Sequence, residues 1–271
     1  MDQSEAESAL ETFEPDRFVS LFFVPQPHRP AVQALYAFEL ELSRIATQVG
    51  EPMVGQIRYA WWREQIDALY SGRAVSAPAA QAVAPFLDWY SLPRVLFDDM
   101  IDWHARDLDA APFADIEQMK AYACSTAGAL MKLGVRVLGA GGFADEAATL
   151  AGTAYGLARQ LQEFRHWASH RRLRLPLREL EAAGLDAEDV FQGRADDPRL
   201  KPLFDLVKGE IRQQLSALNA ARFPRAATPI LAVASLARVA SRRQFNPLDP
   251  ARAEPWQRFL RLSASNLLWR F

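Results

Sequence analysis

Apolar residues recur at helical spacing along most of the chain. Leu35, Phe38, Leu42, Ile45 and Val49 alternate three and four apart, which predicts a helix of nearly four turns. Pro25, Pro27 and Pro30 mark an extended approach to it, with Pro30 suited to its first turn. Tyr59, Trp62, Ile66 and Leu69 predict a second helix that Gly72 ends. Residues 74–93, rich in Ala and Pro, predict a short helix between loops, and a further helix runs from Pro93 to about Leu108. Met119 to Leu138 reads as helix crowded with small residues, and Gly139 to Gly142 then turn the chain. The stretch Gly152 to Glu179 is the one that the other helices are expected to enclose. Leu150, Ala154, Leu157, Leu161 and Phe164 form its buried face, while Thr153, Gly156, Gln160, Glu163 and Trp167 form a smaller, more polar stripe free to face a cavity. Helices around Leu200–Arg222 and Ala227–Arg243 follow. No alternating strand pattern and no fixed repeat is present, so the expectation is an all-α single domain over residues 15–271, preceded by a disordered acidic lead over residues 1–14.

Composition narrows the function classes. Half of the 271 residues are hydrophobic, 24% are charged and the formal net charge is -2, which excludes nucleic-acid binding by bulk charge. Cys124 is the only cysteine, so an intramolecular disulfide and a cysteine zinc cluster are both ruled out. These features, an N-terminus without an export signal and the lack of an apolar run of spanning length fit a cytoplasmic protein, with a peripheral place on the inner membrane left open.

Candidate chemistry gathers at the end of the central stretch. Arg165, His166, His170, Arg171, Arg172, Arg174 and Arg178 crowd one turn, and no Asp or Glu lies between Glu163 and Glu179. Such a cluster suits a diphosphate, an acidic lipid headgroup or an acidic protein; its plain alternative is a solvated helix end. With the polar stripe beside it, the expected ligand-binding residues are Arg58, Tyr122, Gln160, Glu163, Arg165, His170, Arg171 and Arg172. Catalytic residues are not assignable. Asp98, Asp99 and Asp102 imitate a magnesium motif, yet acids near a helix start more often face solvent. His166 and His170 lack a third metal ligand nearby, and no strand precedes the glycine run at 139–142, which rules out a dinucleotide loop. Trp256 to Phe271 mixes aromatic and aliphatic residues with arginines, the composition of an interfacial helix, with packing against the bundle as the more ordinary use.

The pieces RPAVQALYAFELELSRI, EPMVGQIRYAWWREQIDALYSGR, YACSTAGALMKLGVRVLG and GLARQLQEFRHWASHRRLRLP resemble, in order and spacing, the squalene/phytoene synthase family. The resemblance implies an isoprenoid-synthase-type helical bundle around a central cavity. In active members, two aspartate-rich segments hold Mg²⁺, which neutralises a departing diphosphate. This chain departs from that pattern. Leu40 to Thr47 offers Ser43, Arg44 and Thr47 in place of the first acids, with Glu41 nearest, and the second segment reads RHWASHRR. Glu39 and Glu41, two apart, point in different directions and cannot share one ion on a regular helix. The chain looks more like a subgroup that includes a mitochondrial assembly factor for respiratory complex I. The expectation is therefore a binding protein, for an isoprenoid diphosphate or lipid or for respiratory-chain subunits, with no cofactor. The alternative is an active head-to-head prenyl transferase that uses Mg²⁺ on relocated acids: Glu39, Glu41, Glu163 or the Asp98 group.

Overall fold

The structure, a computed structural model, describes residues 3–192, 197–242, 244–248, 254–268 and 271. Among these no strand is found, and helices pack on helices. The order is α1 (Gln3–Phe13), α2 (Pro15–Ser20), α3 (Arg29–Gln48), α4 (Pro52–Tyr70), α5 (Pro78–Val83), α6 (Arg94–Ala105), α7 (Ile116–Ala123), α8 (Ala129–Val137) and α9 (Asp145–Gln162). It continues with α10 (Phe164–Ser169), α11 (Leu177–Ala182), α12 (Ala187–Phe191), α13 (Lys201–Ala220), α14 (Thr228–Leu231), α15 (Ala237–Ala240) and α16 (Pro255–Leu268).

Helix α9 occupies the centre, packed by α7, α8, α13, α14 and α15. Every residue from Ala151 to Ala158 is buried, so this helix has no solvent face there. That is possible because its own small residues and those of its neighbour allow backbones to meet: a Cβ on Gly152 would run into the Gly128 backbone, and one on Gly156 into Ala123. The neighbour is not regular. Cys124–Gly128 winds as π-helix between α7 and α8, where a single helix over Met119–Leu138 was expected, and the Thr126 hydroxyl donates to the Tyr122 carbonyl at 2.7 Å. Gly72 sits at φ +66° and ends α4 as its sequence predicts.

From Gln3 onward the expected disordered acidic lead is helical instead. Helix α1 packs along α3, with Leu10 fully buried, Glu5, Glu7 and Glu11 turned to solvent, and Glu14 buried just beyond its end. Acid content concealed one apolar anchor. The continuous helix expected over Ala227–Arg243 is a succession of short α and 3-10 segments through Ala240, and Arg243 lies outside the described residues. Among the described residues, no helix is long and apolar enough to cross a membrane.

Candidate functional site

A cavity of about 420 Å³ opens between α1, α3, α7, α9 and α10. Of the expected binding residues it receives Tyr122, Gln160 and Glu163, together with Gly156 and Trp167 from the same polar stripe of the central stretch. The other candidates lie elsewhere. Arg58 borders a separate hollow with Trp61, Trp62 and Ile45 and donates to Gln48 at 3.2 Å. Arg165 on α10 and His170 just past its end are exposed, the His170 ring tilted against that of His166 with centroids 4.6 Å apart. Arg171, at φ +54°, turns outward to pair with Glu188 at 2.7 Å, and Arg172 donates to the Ala46 carbonyl at the end of α3. The basic turn is thus mostly an outer surface. Its one inward cation is Arg174, which stacks 3.4 Å over the Trp167 ring and pairs with Asp107 at 2.6 Å.

What fills the cavity wall is a chain of ion pairs, buried except at Arg159 and Glu163, which are partly exposed. Arg17 of α2 pairs with Glu39 of α3 and lies 3.7 Å from Glu14. Glu39 also faces His104 Nε2 of α6 at 3.3 Å, and His104 Nδ1 lies 3.1 Å from Asp107. The Tyr122 hydroxyl donates to Asp107 at 2.9 Å while Arg174 holds the other carboxylate oxygen. On the opposite wall Arg159 bridges Glu14, at 2.9 Å, and Glu163, which also accepts from the Trp167 indole at 3.2 Å. Four acids thus meet four cations: Glu14, Glu39, Asp107 and Glu163 against Arg17, His104, Arg159 and Arg174.

Burial penalises each charge, and the partners decide the outcome. Burial alone would raise Glu39, but Arg17 and His104 hold it at about 2. Burial would lower His104, yet its hydrogen bonds to Asp107 and Glu39 lift it to about 9, so it is an imidazolium at neutral pH. Asp107 and Glu163 are likewise lowered against their burial, by Arg174 and by Arg159 respectively. Glu14 is the exception: desolvation outweighs Arg159 and Arg17, and its pKa is raised. Tyr122 is pushed well up by desolvation, so it remains a hydrogen-bond donor.

Of these eight groups Glu163 was among the expected binding residues, Glu39 was named only as a relocated acid and Arg174 only within the basic cluster, and Glu14, Arg17, His104, Asp107 and Arg159 were not singled out as site residues. A signal existed for Glu39, which lies four residues after Leu35 and three before Leu42, inside the apolar stripe and not beside it. His104 and Asp107, three apart at a helix end, share a face for the same reason. Arg17 and Glu14 carried no such signal, because α2 is short, Glu14 precedes it, and partners such as Glu39 and Arg159 are distant in sequence.

Magnesium does not fit this donor set. Among the described residues no group of three or more His, Cys, Asp or Glu side chains is placed to hold a metal ion. Each cavity carboxylate already has a guanidinium or imidazolium against it. A divalent cation brought to Glu39 or Asp107 would be repelled by that partner, and displacing the partner would strand a buried charge. Of the relocated acids, Glu39 and Glu163 line the same cavity, each against its own cation, and the others lie elsewhere. Glu41 faces the hollow beside Arg58, while Asp98 and Asp102 pair with Arg94 and Arg63 on the solvent side of α6.

The family model for squalene/phytoene synthase matches residues 10–250. The chain belongs to the squalene/phytoene synthase family. Its relatives include complex I assembly factor 6 of Bos taurus, 27% identical over 180 residues, which are 66% of this chain and 54% of that protein. The Homo sapiens counterpart is 24% identical over 190 residues, 70% of this chain and 57% of that protein. Phytoene synthase 3 of Zea mays is 26% identical over 179 residues, 62% and 41% of the two chains. The chain thus spans just over half the length of the mammalian relatives. Among solved structures, a dehydrosqualene synthase in complex with ligand superposes with a TM-score of 0.82 at 14% identity, covering 98% of this chain and 95% of that one. The squalene synthase HpnC of Alicyclobacillus acidocaldarius gives 0.75 at 19% identity, covering 92% and 95%. These likenesses establish the isoprenoid-synthase-type fold.

Proposed function

We propose that this chain acts by binding and not by condensation, as an assembly factor of the kind its complex I relatives are named for. The observation that carries this reading is the ion-pair chain from Glu14 to Arg174. A condensing synthase uses its interior acids to collect Mg²⁺ against a leaving diphosphate. Here those interior acids are neutralised by the protein's own cations, and the cavity is a set of mutually satisfied charges. The same pairing weakens the diphosphate reading: Arg17, Arg159 and Arg174 are committed inward, and the outward Arg171 is held by Glu188. A cavity of about 420 Å³ is nonetheless within the size of small-molecule sites, roughly 300–1,000 Å³. An uncharged isoprenoid or lipid tail remains the small ligand compatible with it, and no cofactor is required.

This reading places the protein beside the membrane that carries complex I, which keeps the peripheral part of the expected location in preference to a free cytoplasmic one. It is tested by removing the chain from its host and measuring assembled complex I by native electrophoresis and NADH:ubiquinone activity of the membranes. Loss of the assembled complex, restored by the wild-type chain, is expected; unchanged levels overturn the proposal. Incubation with farnesyl or geranylgeranyl diphosphate and Mg²⁺ tests the other half. Pyrophosphate release with a head-to-head product would return the chain to the catalytic synthases.

A further inference from the structure

Helix α16 carries its apolar residues on the wrong side for a packed helix. Its inner face is formed by Leu262 and Ser265, both buried, and by Arg258, which reaches Asp16 at 2.6 Å. The opposite face presents Trp256, Leu260 and Leu267, exposed by 61%, 57% and 74%, with Ala264 between them. Positions 256, 260, 264 and 267 are four, four and three apart, so they form one continuous stripe along the outside. Leu268 and Phe259 flank it, Phe259 leaning on Phe23 with ring centroids 5.3 Å apart. An outward stripe of this kind has to be covered by something.

The charges beside the stripe indicate what covers it. Helix α16 contains no Asp or Glu. Arg261 lines a groove of about 320 Å³ with Arg238, Arg242, Ser235 and Leu268, next to the apolar face. None of these three arginines pairs with an acid among the described residues, in contrast to the arginines of the cavity. Trp and Leu on one face with arginines at its edge is the pattern of a helix lying in the plane of an anionic bilayer, aromatic and aliphatic groups at the acyl boundary and guanidinium groups among phosphates. A protein partner would need a surface both apolar and acidic in the same arrangement; an anionic membrane supplies both without further design. Of the tail residues expected to share this role, Trp269 and Arg270 lie outside the described residues.

We propose that the outer face of α16, with Arg238, Arg242 and Arg261 at its edge, docks on anionic phospholipid membranes. This stands apart from the assembly reading, since lipid binding is measured with the purified full chain and no respiratory component. The experiment is co-sedimentation with phosphatidylcholine vesicles, with and without phosphatidylglycerol. Binding is expected to be at least about tenfold stronger to the anionic vesicles and to weaken with added salt. Leu260→Asp with Leu267→Asp should abolish it, and Trp256→Ser, a milder change at an exposed position, should reduce it severalfold with the circular dichroism spectrum unchanged. Replacing Arg238, Arg242 and Arg261 together by Gln should remove the preference for anionic lipid. Three results overturn the proposal: no sedimentation with either vesicle, sedimentation that these variants do not alter, or a wild-type dimer in light scattering that the Leu260→Asp, Leu267→Asp variant splits with no lipid binding in either protein.

Discussion

The cavity and the outer side of α6 are built from the same chemistry, carboxylates paired with arginines, and they differ only in their surroundings. At the outer side Asp102 takes Arg63 at 2.6 Å and Asp98 takes Arg94 at 3.1 Å, with the Asp102 side chain 61% exposed. Inside, Arg17 and Glu39 are each 6% exposed. Water already solvates the outer acids, so their partners add little; the inner acids have only their partners. The comparison explains why DDMID, the segment that most resembles a metal motif, is ordinary surface, while the acids that determine the cavity's character were scattered singly through the sequence.

The sharpest way to break the comparison is Arg17→Met. It removes a guanidinium from Glu39, which is left with His104 alone, and from Glu14, which is left with Arg159 alone, and should cost about 3–5 kcal/mol, read from denaturant midpoints, as for other severed buried pairs. The pH dependence comes next. His104 binds its proton more tightly in the folded chain, so its contribution is complete below its ordinary value of 6.5 and is lost as pH rises through about 9. The shift corresponds to on the order of 3 kcal/mol. Thermal midpoints should therefore fall between pH 7 and pH 10, and His104→Gln should flatten that fall. Glu39 acts with the opposite sign: its contribution is present above 4.5 and lost as pH falls toward about 2.

A double change measures how far the inner groups depend on one another. Arg17→Met combined with Glu39→Gln should lose less than the sum of the two single changes by about 0.5–3 kcal/mol, since neither leaves the other's charge unpaired. Additivity at that pair would mean the network is no more coupled than the surface. The smallest effect is expected outside: Arg63→Ala, whose partner stays solvated, should move stability by roughly 0–1 kcal/mol and leave the pH profile unchanged.

The legible part of this protein was its helical architecture. Leu35 to Val49, Tyr59 to Leu69 and Leu150 to Phe164 predicted α3, α4 and α9, because a period near 3.6 is a property of adjacent residues and needs no knowledge of the fold. That no Asp or Glu lies between Glu163 and Glu179 was legible for the same local reason. Where the sequence misled, the deciding fact was non-local. The basic run at 165–172 looks like one site, but Arg171 pairs outward with Glu188, Arg172 is taken by the Ala46 carbonyl, and the guanidinium that lines the cavity is that of Arg174. Acidic residues at the N-terminus looked solvated until Leu10 met α3 and Glu14 met Arg159.

What the amino-acid order determined by itself is the principal helices α3, α4 and α9 and their buried faces. What only the tertiary structure decided is which charges become partners. Arg159 and Glu14 are 145 positions apart along the chain, Arg17 and Glu39 are 22 apart, and nothing in their local patterns connects them. Helix periodicity is set by hydrogen bonds four residues long, whereas the worth of an ion pair is set by distance and by how much water the whole fold removes from around it.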